Sequence, residues 1–232
     1  MSLTFSLPNF ETPMAGQHYD IRLTAPDGYQ AERSYSIASA PEEKGIVQYG
    51  IELLPGGEVS SYLSALAVGK QVEMRGPIGG HFTWSTDMPG PLIMIAGGSG
   101  MVPFMSMIRH HLGKPKDIGR EIIFLISART IEHVLWKEEL AEMEKTDLNI
   151  RIIFTLTNAE PDGWTGYSRR IDQEMLKEIF MTEQKTPKSA GIQNKMPMTY
   201  VCGPTGFVEA VANHMITLGF NPHQIRTERF GG

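Results

Sequence analysis

The period of the hydrophobic positions changes once along this chain, near residue 90. Before that point, apolar and polar residues alternate over short runs, the pattern of strands with one buried face. Residues 19–23 alternate and stop at Pro26-Asp27-Gly28, and a second run covers 35–38 and ends before Pro41. Residues 45–54 alternate up to Pro55-Gly56-Gly57, and 71–75 up to Gly76-Pro77. Short strands at this spacing predict an antiparallel barrel or sandwich. A short helix is predicted over 60–66, capped by Ser60 or Ser61.

Met88-Pro89-Gly90-Pro91 reads as a linker. Beyond it, Leu92-Ile93-Met94-Ile95-Ala96 is continuously apolar, as a strand buried on both faces must be. Further strands at 122–127, 150–156, 199–202 and 225–230 alternate with helices at 102–112, 135–143, 171–180 and 207–218. That alternation predicts a doubly wound parallel sheet. Asp172 and Glu174 suit the positive N-terminal end of their helix. Residues 182–197 are polar and predicted to form a mobile loop. The expected fold is therefore two domains: an antiparallel β-barrel over residues 1–88 and an α/β doubly wound parallel sheet over 91–232.

Composition narrows the function classes. A hydrophobic fraction of 41% and a charged fraction of 20% over 232 residues are those of a soluble globular chain. A net charge of −5 argues against general nucleic-acid binding, which needs a basic stripe. The single cysteine, Cys202, allows no disulfide within the chain and no cysteine-ligated cluster. No apolar run reaches the roughly 18 residues of a membrane span, and the first residues lack a basic-then-apolar leader pattern. A cytoplasmic location is the expectation.

Candidate chemistry begins at Gly97-Gly98-Ser99-Gly100, which follows the first parallel strand and opens a helix. Glycines there permit a tight turn and close approach of a pyrophosphate to the backbone, so Gly98, Ser99 and Gly100 are predicted to hold a dinucleotide. Pro103 stands where the third glycine of the common fingerprint would fall, at a helix position that needs no N–H. Ser127 and Arg129 end the second parallel strand, where a site for NAD usually has an acid. They lean toward a ribose phosphate and NADPH, although Arg129 also fits an ordinary exposed charge. Cys202-Gly203-Pro204 ends the fourth parallel strand at the edge where ligands sit; Cys202 reads equally as a buried structural thiol.

Four segments, in this order, carry a likeness. They are Arg33-Ser34-Tyr35-Ser36, Gly97 to Pro103, Cys202-Gly203-Pro204-Thr205-Gly206 and Glu228-Arg229-Phe230-Gly231-Gly232. Together they resemble the ferredoxin-NADP reductase family over nearly the whole chain. The resemblance implies FAD on the front barrel and NADP(H) or NAD(H) on the back domain. It implies that Arg33 meets the FAD pyrophosphate, Tyr35 stacks on the isoalloxazine ring, and Ser36 hydrogen-bonds the ring nitrogen that receives the hydride. An arginine fork suits two phosphate oxygens. Since alternate residues of a strand face opposite ways, these three are expected to need a bulge or flattening. In isolation, the same four residues fit an ordinary strand with a salt-bridged arginine and a core tyrosine.

By the same resemblance, Gly57, Val59, Ser60 and Ser61 seat the pyrophosphate. The turn Gly76-Pro77-Ile78-Gly79-Gly80-His81-Phe82 lies beside the flavin, one residue longer than the family's common form. His81 reads as a turn residue, not a base. Arg170 matches a family arginine, and Arg169 replaces the glycine before it. Cys202, with Gly203 and Pro204, approaches the nicotinamide; Phe230 covers the flavin face, and Glu228 balances charge or protons. The terminal segment also fits a frayed strand end. His110 and His111, without an acid or cysteine at helical spacing, read as a solvated helix end.

The implied activity is hydride transfer from NAD(P)H to FAD, then electron transfer to a separate acceptor: a ferredoxin or other redox protein, or a small molecule. A ferredoxin would need a local basic patch, for which Lys114, Lys116 and Arg120 are candidates. Two other readings stay open: an FAD-carrying subunit of a larger complex with no productive NAD(P)H oxidation, and a flavin-free dehydrogenase.

Overall fold

The computed structural model describes residues 1–117, 119–181 and 196–230. The loop expected at 182–197 lies, but for its last two residues, outside these, as do Gly231 and Gly232 of the terminal motif. The chain divides into two compact units, Met1–Ser85 with Val102–Gly113, and Thr86–Met101 with Lys114–Gly232.

The first unit is built of antiparallel strands. β1 (Ser2–Ser6) pairs with β4 (Ile46–Gly50), while β2 (His18–Thr24) lies between β3 (Gln30–Ser36) and β5 (Glu73–Ile78). The bridge Ile37↔Tyr49 joins the end of β3 to β4. Tyr19 and Ile21 from one sheet and Val47 and Tyr49 from the other enter one core, which α1 (Glu58–Ser64) closes with Val59 and Leu63. The alternation does not reveal β1: five residues with only Leu3 and Phe5 apolar are too short a pattern to stand out, and its partner lies some forty residues away. The expected serine cap of α1 is also corrected. Gly57 is the N-cap residue, and no side chain caps the helix.

The helix over 102–112 forms at its expected bounds as α2 (Val102–Leu112), but it belongs to the first unit, although the strand before it belongs to the second. Nine of its eleven residues are buried, so it has no broad solvent face. Its two histidines are not a solvated end. His111 is fully buried, and His110 places Nδ1 2.9 Å from Glu42 with its ring edge-on to Trp84.

The second unit is a five-stranded parallel sheet in the order β10-β9-β6-β7-β8. Its strands are β6 (Leu92–Gly97), β7 (Ile122–Ala128), β8 (Ile150–Leu156), β9 (Met198–Pro204) and β10 (Ile225–Phe230). Every residue of β6 is buried, as its unbroken apolar run requires. Its helices are α3 (Lys137–Thr146), α4 (Gln173–Phe180) and α5 (Thr205–Thr217). Ile93, Ile95, Ile123, Leu125 and Val201 pack against Met175, Ile179, Val208 and Val211 of α4 and α5. Asp172 caps α4 by accepting from the Met175 N–H at 2.7 Å. The chain builds outward from β6 through β7 to β8, then returns to the other side of β6 with β9. The order thus reverses between β6 and β9, and α/β sheets bind ligands at that switch point, beyond the carboxyl ends of the strands.

Candidate functional site

The candidate residues named from the sequence fall into two sets, one in each unit. In the first, β3 pairs with β2 in unbroken register from Gln30 to Ser36. No bulge is present in this pairing, which corrects that part of the expectation; the register shift falls on the other side of β2, toward β5. Arg33 and Tyr35 share a face because they are two residues apart. They stand opposite Ile21 and Tyr19, on the side of the core. Tyr35 is half-buried over that core, its ring centroid 6.3 Å from Tyr49, and burial pushes its phenol upward. Arg33 is exposed, one Nη donating to the Glu32 carbonyl at 2.7 Å. Ser36 belongs to the other face, partly exposed at the strand end.

The reverse face of the same strands is an ion-pair lattice. Ser34 Oγ donates to Asp20 at 2.6 Å, Arg75 meets the second Asp20 oxygen at 2.6 Å, and Arg22 bridges Glu32 (2.8 Å) and Glu73 (3.4 Å). Burial raises the Asp20 carboxyl, but the bonds from Ser34 and Arg75 outweigh it and hold the group below its ordinary value. β3 therefore has one side pinned and one side presenting an arginine and an aromatic ring.

The segment before α1 is more structural than expected. Val59 is a core residue, so only its backbone faces outward. Ser60 is buried and turned back, its Oγ donating to the Gly57 carbonyl at 3.2 Å. A Cβ on Gly57 would sit 2.5 Å from that oxygen. Ser61 is exposed. His81 lies exposed in its turn.

In the second unit the switch point is lined by backbone. Gly98–Met101 forms a 3-10 turn before α2. Gly98 has φ of +57°, a conformation glycine adopts without cost. A Cβ on Gly100 would lie 2.2 Å from the Cys202 carbonyl oxygen and 3.0 Å from the Gly203 nitrogen. On Gly97 it would meet the Phe207 ring at 2.9 Å, and on Gly203 the Gly97 backbone at 3.2 Å. The ends of β6 and β9 thus touch main chain to main chain, under the ring of Phe207. A bare cradle of this kind lets a pyrophosphate reach N–H groups, so the residues present fit a dinucleotide. The sequence marks Phe207 only as a helix start; its position five residues after Cys202 carries no signal by itself.

Cys202 and Glu228 face each other across β9 and β10, and Phe230 stands opposite Pro204. Cys202 is fully buried; burial first, then the Glu228 charge, pushes its thiol well up, so it stays protonated at neutral pH. Ser127 is the penultimate residue of β7, opposite Gly97 on one side and Thr155 on the other. Arg129 is exposed just beyond it. Glu132, three residues on, is a site candidate that the sequence reading does not pick out. Thr130 Oγ1 donates to it at 2.5 Å and lies 2.9 Å from His133 Nδ1; that bond, ahead of backbone and nearby cations, holds the carboxyl below its ordinary value. The two neighbouring arginines separate in role. Arg169 pairs with Asp172 (3.1 Å) and Glu178 (3.2 Å), whereas Arg170 is exposed. The basic patch loses a member too, because Arg120 is held by Asp117 at 2.6 Å and donates to the carbonyls of Thr86 and Gly90.

Residues 94–213, just over half of the chain, match the family described as the oxidoreductase NAD-binding domain. Residues 1–84 match the oxidoreductase FAD-binding domain. The chain belongs to the ferredoxin reductase-like family of FAD- and NAD-binding oxidoreductases. It is 29% identical over 226 residues to NADH-cytochrome b5 reductase 1 of Dictyostelium discoideum, covering 96% of this chain and 74% of that one. It is 30% identical over 213 residues to a component of the Na(+)-translocating NADH-quinone reductase of Methylococcus capsulatus, covering 87% of this chain but only 50% of that component. Among solved structures, the cytochrome b5 reductase domain of Ulva prolifera nitrate reductase superposes with a TM-score of 0.78 at 25% identity, over 98% of this chain and 90% of that one. A ferredoxin NADP+ reductase from Neisseria gonorrhoeae, solved with FAD and NADP bound, shares the fold with a TM-score of 0.74 at 21% identity, over 98% and 91% of the two chains.

The protein is accordingly an FAD-dependent NAD(P)H oxidoreductase that passes electrons to a separate acceptor. Bound FAD supplies a two-electron centre that takes hydride from a nicotinamide and releases electrons onward. The chain's share is to bind and orient. No helix among the described residues is long and apolar enough to cross a membrane.

Proposed function

We propose that this chain oxidises NADH in preference to NADPH and reduces a one-electron haem protein of the cytochrome b5 type. The coenzyme choice rests on Glu132. Its carboxylate, fixed by Thr130 beyond the end of β7, would repel a phosphate on a ribose bound at that strand end. The similar proteins from Dictyostelium and Methylococcus are both named for NADH. The acceptor rests on the first of these, of which the chain covers the larger share. A second reading keeps NADPH, and its support is Arg129, exposed at the same strand end.

In this reading Arg33 pairs with the FAD pyrophosphate, with the Gly57, Val59 and Ser61 backbone beside it, and Tyr35 lies flat against the isoalloxazine. Ser36 donates to the reacting ring nitrogen. Gly98, Ser99, Gly100 and Gly203 receive the dinucleotide backbone, with Pro204 turning the chain into α5. Cys202, neutral and compact, shapes the nicotinamide pocket, while Glu228 and Phe230 flank it on β10. Ser127, Arg129 and Arg170 line the adenosine end.

Anaerobic titration of the FAD-loaded protein, followed by absorption, tests this. NADH should bleach the flavin at lower concentration than NADPH, and Glu132→Gln should narrow the preference by about tenfold, the worth of one charge contact. Equal bleaching by both coenzymes, unmoved by E132Q, would remove the Glu132 argument. Adding cytochrome b5, a ferredoxin or a quinone to the reduced protein then ranks the acceptors; reoxidation by the quinone alone would reject the haem protein.

A further inference from the structure

One face of α2 holds the piece of chain that leaves the flavin strand. Ser106 Oγ donates to the Ser39 carbonyl at 2.7 Å, and both residues are buried. Arg109 Nη1 donates to the Ala38 carbonyl at 2.8 Å and to Gln48 Oε1 at 2.7 Å. The same short segment is fixed through its N–H groups by other strands: Ile37 N–H donates to the Gln17 carbonyl at 2.9 Å and Ala38 N–H to the Gln48 carbonyl at 2.7 Å. Ser39 Oγ accepts from the Gln48 N–H at 3.1 Å. Two consecutive carbonyls, two and three residues after Ser36, thus take their bonds from side chains of one helix, where a strand would ordinarily use a neighbouring strand.

A buried carbonyl that loses its donor has no water to replace it, so the segment would move to find one. Ser36 is the last residue of β3, and its direction follows the path of 37–39. We propose that Ser106 and Arg109 are positioning residues for the flavin: by fixing Ala38 and Ser39 they set the aim of Ser36. This rests on the reading of Ser36 as the group that meets the flavin ring. Neither side chain touches the cofactor in this account. They act through the backbone, and a displacement near 1 Å in a reacting group can cost up to about 100-fold in rate.

The experiment uses the full chain loaded with FAD and the variants Ser106→Ala, Arg109→Met and Arg109→Lys, with Ser36→Ala as reference. Four quantities are read: the flavin absorption bands, the flavin midpoint potential, the rate of flavin reduction at saturating NADH, and the melting temperature. R109M should shift the bands and potential in the direction of S36A and slow reduction about tenfold, with NADH KM within about twofold of the parent. S106A should do the same to a smaller extent, and R109K, which keeps a cationic donor, should recover part of the loss. Should R109M fail to fold, S106A carries the decision, since it removes a single oxygen. If S36A alters the flavin while S106A and R109M lower only the melting temperature, the helix is glue and this proposal alone falls. If S36A is itself silent, the role of Ser36 falls and the proposal with it.

Discussion

The two cofactor grips proposed for this chain are made of different material. On β3 the grip is side chain: Arg33 and Tyr35 stand on one face of a regular strand whose other face is locked by Asp20. At the switch point between β6 and β9 it is main chain, because Gly97, Gly100 and Gly203 leave no room for side chains of their own. The difference teaches how each fails. A side-chain grip can be weakened by degrees, since lysine does part of what arginine does. A backbone grip has one failure mode, the addition of volume, and it fails abruptly.

Gly100→Ala should therefore have the largest effect. Its new methyl would meet the Cys202 carbonyl oxygen at 2.2 Å, and that atom belongs to a central strand that cannot rotate away. Overpacking against backbone costs about 3 kcal/mol or more, equivalent to a fall of roughly 10 °C in melting temperature for a chain of this size. Because β3 and α1 are untouched, G100A should still turn yellow with FAD yet lose reduction by NADH by about 100-fold or more. A G100A protein that melts and bleaches like the parent would show that the cradle is not as rigid as the close approach implies.

Arg33→Ala comes next. Removing a charge-assisted bond to phosphate costs about 1.5–3 kcal/mol, or roughly 10- to 100-fold in FAD affinity. R33K should lie between, since it keeps the charge and loses the fork. Flavin fluorescence quenching on titration measures all three. Unchanged affinity in R33A would move the phosphate contact elsewhere and make the β3 grip one of stacking alone.

Much of this contrast is legible in the sequence, and the reason is locality. The unbroken apolar run of β6 followed by glycines, the Asp172 cap three residues before Met175, and β10 at its bounds are all set by neighbours in the chain. Arg33, Tyr35 and Ser36 are legible only as an ordered set, and the regular strand puts Arg33 and Tyr35 on one face and Ser36 on the other. What cannot be read is what the chain joins at long range. His110 looks solvated in the sequence because its acid, Glu42, lies 68 positions away. Arg120 looks like a docking charge because its acceptor Thr86 is 34 positions back. The place of α2 after β6 points it to the parallel sheet, but Ser106 and Arg109 commit it to carbonyls 67 and 71 positions earlier. Glu132 is silent since an acid near a strand end means nothing until Thr130 is seen to fix it.

The smallest effect lies on the far side of β3. Asp20→Asn keeps the shape and the hydrogen bond to Ser34 but removes the charge that Arg75 meets. Arg75 is two-thirds exposed at the side chain, so solvent screens the pair and the loss should be about 0.5–1 kcal/mol at neutral pH. The pH dependence is the sharper signature. The folded carboxyl lies below its ordinary value of 3.8, so its contribution is complete above that value and drains away as pH falls through the lower, folded one. Urea unfolding should then show a constant gap between D20N and the parent from pH 7 down to about 5, closing below 3.8. A gap that persists undiminished into strong acid would mean that the amide of D20N costs stability through shape, not charge. The pinned face of β3 would then be a packing device, and FAD affinity in D20N should stay at the parent value. A gap that closes, together with a slight loss of FAD affinity, would tie the lattice on one face of the strand to the grip on the other.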